Sequence, residues 1–286
     1  MSDLHSINEA INKRAGRKLL PSIVVSISLI ALVWFSLDFK RVIFVGLVAL
    51  AVILGAREIS RAFAASGIHV SFRALSLATV ILSYSTWVGG VAGLSFATAI
   101  ALPILLISLL RRGPEGFVAN ATATTFSLIY LPFLAGFIIL LARSDEGLHR
   151  VMTFVVLVGC SDTFGYLVGV IFGKHPMAPK ISPKKSWEGL AGSIIFTVLG
   201  GSLAFNYIMH MHWYLGAAVG LMIVFTATSG DLIESAMKRD LSLKDMGTLL
   251  PGHGGALDRL DSVLLSAPAL WLTLEIVDKF KSLGYL

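Results

Sequence analysis

Nine apolar runs, each near the length that crosses the hydrocarbon core of a bilayer, constrain this chain more than any other feature. They fall at 19–37, 42–56, 74–91, 92–110, 117–142, 150–172, 189–209, 213–230 and 262–277, with the third and fourth parted at Gly89, Gly90 and Gly93. A soluble domain of 286 residues cannot cover a chain that is 56% hydrophobic and 14% charged, with a mean hydropathy of +0.82. The expected fold class is therefore an all-α integral membrane protein with about nine transmembrane helices. Lys13, Arg14, Arg17 and Lys18 precede the first run. No small-x-small cleavage site follows them, so the run reads as an uncleaved helix rather than a secretory signal.

Basic residues orient the spans. With the N-terminus cytoplasmic, all of the 23 Lys and Arg residues except Lys40, Arg41, Arg143, Arg150, Lys279 and Lys281 fall on the inside. That arrangement puts the C-terminus outside and the two longest polar loops, 173–188 and 231–261, on the cytoplasmic face. The net charge of +6 is spread between apolar runs, without a basic stripe interleaved with aromatics. It suits lipid headgroups and phosphorylated substrates and excludes nucleic acid as a partner. Cys160 is the sole cysteine, which rules out an internal disulfide and a cysteine-based metal site. His5, His69, His149, His210 and His212 are scattered near span ends without metal-ligand spacing and read as interfacial residues.

The spans before residue 150 carry almost no ionisable residue and read as scaffold; Glu58 is the exception, expected as a helix-end carboxylate paired with Arg57 or Arg61. The expected organisation is a transmembrane scaffold of about five helices at 1–149 and a catalytic region at 150–286. In that second region the polar chemistry concentrates between Ser235 and Asp261. Asp240, Asp245, Asp258 and Asp261, with Asp231 just upstream, are interspersed with Lys238, Arg239, Lys244 and Arg259. Metal-dependent phosphoryl chemistry needs that mixture, because carboxylates hold Mg²⁺ and cations neutralise the phosphate oxygens left uncovered. Pro251-Gly252-His253-Gly254-Gly255 supplies backbone that can approach a phosphate closely. A helix starting near Gly255 would place Asp258 and Asp261 on one face.

Two further features lie upstream. Asp162, in Cys160-Ser161-Asp162-Thr163, sits inside a membrane helix and should face a polar cavity or a cation, or else bond to Ser161 or Tyr166 nearby. Ser182-Pro183-Lys184-Lys185-Ser186-Trp187-Glu188-Gly189 is a basic loop opening a helix, a plausible phosphate seat as well as a topology signal.

Ser235-x-x-Lys238-Arg239, then Lys244-Asp245, then Pro251-x-His253-Gly254-Gly255-x-x-Asp258-Arg259-x-Asp261, resembles the signature of the phosphatidate cytidylyltransferases, or CDP-diacylglycerol synthases. Ser161-Asp162-x-x-x-Tyr166 followed by Ser182-Pro183-Lys184-Lys185 resembles the same family independently. The likeness covers about residues 150–265. Ala256 replaces a larger aliphatic residue and Ser186 the commoner Thr; Val170 departs from a Gly-Arg pair, so any phosphate role of that arginine is absent or taken over here.

The resemblance implies transfer of CMP from CTP to phosphatidic acid, giving CDP-diacylglycerol and pyrophosphate, in a cytoplasm-facing polar cavity of the C-terminal half. It implies Mg²⁺ on Asp231, Asp258 and Asp261, with or without a monovalent cation such as K⁺, and Asp162 lining the cavity. Lys184, Lys185, Lys238, Arg239, Lys244, His253 and Arg259 would contact phosphates. Its partners would be CTP, phosphatidic acid and membrane lipids, with a homodimer an open assembly. A transferase using another lipid phosphate and a cation-coupled transporter with buried carboxylates are the alternative readings.

Overall fold

Backbone inside hydrocarbon finds no water, so each apolar run must satisfy its own N–H and C=O groups, which a helix does without a partner. The computed structural model describes residues 19–243, 246–247 and 255–284, with side chains from residue 27 onward. Among these, seven helical segments are long and apolar enough to cross a membrane. In chain order the helices are α1 (Leu19–Phe39), α2 (Arg41–Ala65), α3 (Phe72–Leu109), α4 (Phe117–Leu128), α5 (Leu134–Arg143), α6 (Gly147–Phe172), α7 (Trp187–Tyr207), α8 (Trp213–Asp240) and α9 (Leu257–Ser282). A π-helical turn, Ile129–Phe133, joins α4 to α5 in one span. Among the described residues, the regular structure other than helix is one antiparallel hairpin, β1 (Pro176–Ala178) with β2 (Ser182–Ser186), where a basic loop is expected from the sequence.

α3 is not one straight rod. At Gly90 the backbone takes φ +61° and ψ −141°, a conformation open to glycine. Three residues on, a Cβ at Gly93 would overlap the Ser85 carbonyl. In an unbroken helix residues eight apart are about 12 Å distant, so the chain folds back here into two packed arms, 72–89 and 91–109. Arg143 closes over the turn, donating from Nε to the Trp87 carbonyl at 2.9 Å and from Nη2 to that of Val88 at 3.4 Å. Arg41 likewise donates to the Ser144 and Asp145 carbonyls, each at 2.6 Å. The α1–α2 link, the tip of α3 and the α5–α6 link thus share one end of the bundle. At the other end, Arg112 Nη2 donates to His69 Nδ1 at 3.0 Å, and the His69 amide to Asn120 Oδ1 at 2.6 Å.

Small residues let the C-terminal helices meet backbone to backbone. Gly201 of α7 and Gly216 of α8 face each other so closely that a Cβ on either would overlap the other's carbonyl; Gly230 of α8 is held in the same way against the Asp261 carbonyl of α9. Outward, Phe96, Ile100, Ile104 and Ile107 are all exposed at helical spacing. In a bilayer that face belongs to lipid.

Candidate functional site

α8 runs ten residues beyond the expected 213–230, so Asp231, Glu234, Lys238 and Arg239 stand on a helix rather than in the polar loop assigned to 231–261. The extension is amphipathic: Leu232, Ile233, Ala236 and Met237 continue the apolar pattern, and Glu234 pairs with Lys238 one turn on. α9 begins at Leu257, which places Asp258 and Asp261 on its first turns, three residues apart.

Two clusters result. In the first, Lys185 of β2 donates to Asp231 Oδ2 at 2.6 Å. Asp162 of α6 accepts at 2.8 Å from the Ser262 hydroxyl of α9, 100 residues away, and is otherwise exposed. The Ser262 amide donates to Asp261 Oδ1 at 2.7 Å. Asp162, Asp231 and Asp261 lie near enough for each to feel the others' charge. Strand alternation separates neighbours in β2: Lys185 is half-buried at the cluster, whereas Lys184 is exposed. Ser186 caps α7, its hydroxyl accepting from the Gly189 amide at 3.1 Å. Glu188 ties down the start of the hairpin, accepting from the Lys174 and His175 amides at 3.1 and 3.2 Å.

In the second cluster, Lys238 bridges Glu234 and Asp258, the latter at 2.8 Å. The other oxygen of Asp258 accepts from the Gly255 amide at 2.7 Å. Glu58, which sequence reasoning paired with Arg57 or Arg61, instead accepts from the amides of Ala256 at 2.9 Å and Leu257 at 2.8 Å. The first N–H groups of a helix have no partner within it, and a carboxylate there satisfies them and complements the helix dipole. Gly247 and Gly255 press on that carboxylate so closely that a Cβ on either would overlap it.

Arg239 donates from Nε to the Ile181 carbonyl at 3.3 Å, joining the end of α8 to the hairpin. Arg259 is half-buried and engaged. Lys244 and His253 lie outside the described residues. Besides Ser262, two participants carried no sequence signal: Glu234, whose Oε1 is buried without a hydrogen-bond partner, and Tyr130, whose buried hydroxyl also lacks one and which feels Asp261, Glu234 and Asp231. Tyr130 belongs to the π-helical turn, a distortion that redirects side chains and that periodicity does not reveal.

The donor chemistry fits a hard cation: carboxylates dominate, and Glu234 Oε1 is an orphaned acceptor. The ligand set itself is not closed, since among the described residues no three carboxylates or imidazoles group as metal ligands. Asp231 and Asp258 each hold a lysine ammonium.

The profile of the cytidylyltransferase family matches residues 21–277. A phosphatidate cytidylyltransferase of Mycobacterium bovis is 36% identical over 277 residues, covering 92% of this chain and 90% of its own. One of Mycobacterium leprae is 36% identical over 280 residues, with 92% and 90% covered. One of Staphylococcus haemolyticus is 32% identical over 204 residues, 70% of this chain and 76% of its own.

Proposed function

Because the chain belongs to the cytidylyltransferase family, we propose that it transfers CMP from CTP to phosphatidic acid, giving CDP-diacylglycerol and pyrophosphate, as a multi-pass membrane enzyme. The observation that carries the site is the meeting of separate motifs at one place: Lys185 of the hairpin on Asp231 of α8, and Asp162 of α6 on Ser262 of α9.

In the reaction a phosphate oxygen of the lipid attacks the α-phosphorus of CTP in line and pyrophosphate leaves, so no side chain need form a covalent intermediate. Lys185 and Lys238, each paired with a carboxylate, are the proposed ammonium contacts for incoming phosphate oxygens, and Arg239 and Arg259 the proposed guanidinium contacts. Lys184, Lys244 and His253 complete the proposed phosphate contacts. Asp231, Asp258 and Asp261 are the proposed holders of Mg²⁺, with Asp162 beside them and K⁺ as an optional second cation; bound there, the metal neutralises charge between two anionic reactants. Asp162, exposed within a membrane helix, supports a polar cavity open to the cytoplasm.

Counting the two arms of α3 separately and including α1 gives nine crossings, with N-terminus and site cytoplasmic and C-terminus outside. The Arg41 and Arg143 contacts at one end and the Arg112–His69 contact at the other support this path. A homodimer belongs to the same proposal and is tested by light scattering in detergent.

The deciding experiment supplies purified protein with labelled CTP, Mg²⁺ and phosphatidic acid. Labelled CDP-diacylglycerol with equimolar pyrophosphate is expected. Product formed only with another lipid phosphate would move the acceptor, and no CTP turnover with any would reject the reading.

A further inference from the structure

The end of α2 that carries Glu58 has a second cationic feature that the reaction leaves unused. Ile53, Leu54, Arg57, Ser60, Arg61 and Ala64 share one face of α2, and with Phe72 and Arg73 at the start of α3 they line a groove of about 540 Å³. Glu58 lies about 100° round the helix from Arg57 and is turned to α9, so the groove and the reacting centre use different faces.

Among the described residues, three guanidinium groups line the groove and no carboxylate does. All three arginines are exposed, and among the described residues they make no ion pair or hydrogen bond. Beside them Ser60 is 6% exposed, and its hydroxyl has no hydrogen-bond partner. A serine within a helix commonly bonds back to the carbonyl one turn earlier, as Ser127 does to Ala123 at 2.7 Å; Ser60 does not. Unpaired guanidinium groups and an orphaned hydroxyl are all donors, and together they match a group that only accepts, such as phosphate. Ile53, Leu54, Ala64 and Phe72 make the rest of the wall apolar. A free nucleotide has nothing to place against that wall, whereas a phospholipid has its acyl chains. The arginines also stand at a helix end, at the depth of headgroups.

We propose that this groove binds the phosphate of an anionic phospholipid at a site separate from the reacting centre. Arg57, Arg61 and Arg73 hold the phosphate oxygens, Ser60 donates to one of them, and an acyl chain lies along Ile53 and Leu54.

The test is native mass spectrometry of the intact protein in detergent, titrated with phosphatidylglycerol, phosphatidylcholine or inorganic phosphate. Wild type should retain phosphatidylglycerol over phosphatidylcholine. R57Q/R61Q/R73Q should weaken that binding at least about tenfold, and Ser60→Ala a few-fold, as expected for loss of charge-assisted and neutral hydrogen bonds respectively. Undiminished phosphatidylglycerol binding in the triple variant overturns the proposal, as does equal retention of phosphatidylcholine. Displacement of the lipid by inorganic phosphate at matched concentration overturns the lipid as occupant. If the triple variant is not monodisperse, Arg73→Gln alone carries the test, and wild-type binding there is equally fatal.

Discussion

A carboxylate on the second helix fixes where the last one begins. Glu58 accepts two amides of the first turn of α9, and that turn carries Asp258. Glu58→Ala would leave the buried Leu257 N–H without a partner, at a cost of roughly 1–3 kcal/mol, and the part-buried Ala256 N–H at less. The expected outcome is a lower melting temperature in detergent together with a fall in kcat, because the proposed metal-binding residues lose their footing; wild-type values of both would show that the cap is dispensable. Asp258→Asn and Asp261→Asn test the site itself. Asparagine keeps an oxygen for the Gly255 amide but loses the charge, so each variant should insert, fold and fail to turn over CTP. Partial recovery at raised Mg²⁺ would support ligation. Wild-type activity in either variant would remove that residue from the proposed metal site.

At the scale of elements, the site depends on how closely α8 and α9 approach. Gly230 adjoins Asp231, and a Cβ there would lie 2.9 Å from the carbonyl carbon of Asp261 and 3.2 Å from the Ser262 Cα. Backbone cannot swing aside as a side chain can, so Gly230→Ala must part the helices. Overpacking of this kind costs about 1–3 kcal/mol, and the same displacement separates Asp231 from Asp261. Gly46 of α2 has nothing within 4 Å of its Cβ position, so Gly46→Ala should be neutral or stabilising by up to about 1 kcal/mol. Melting temperature and CTP turnover of the two variants make the comparison. Equal behaviour would mean that α8 and α9 yield without cost.

For the whole molecule the sharp question is the path at Gly90. As a single rod the segment 72–112 would be about 60 Å long, twice the hydrocarbon thickness. Folded back, each arm is about the length of one crossing, as the proposed nine-crossing path requires. With Cys160 replaced, single cysteines at Gly67 and Gly113 should be labelled from one side of sealed vesicles, and those at Gly89 and Ser144 from the other. Labelling of Gly89 from the same side as Gly67 would sink the nine-crossing path.

The membrane class, and the residue types that lie between Asp162 and Asp261, are legible in the chain alone. Apolar length and charge placement are properties of the chain alone, and the break at Gly90 showed as a cluster of glycines within a long apolar run. Hydropathy falls at Asp231 while helical periodicity continues to Asp240, so an apolar-run criterion ends α8 ten residues early. Which side chains meet is set by packing between helices far apart in the chain. Sequence shows only local partners for Glu58, its neighbours Arg57 and Arg61, whereas its partners lie 198 and 199 residues away. Ser262 was invisible for the same reason: an isolated hydroxyl has no pattern, and becomes part of a site only where packing of small residues brings another helix's carboxylate within reach.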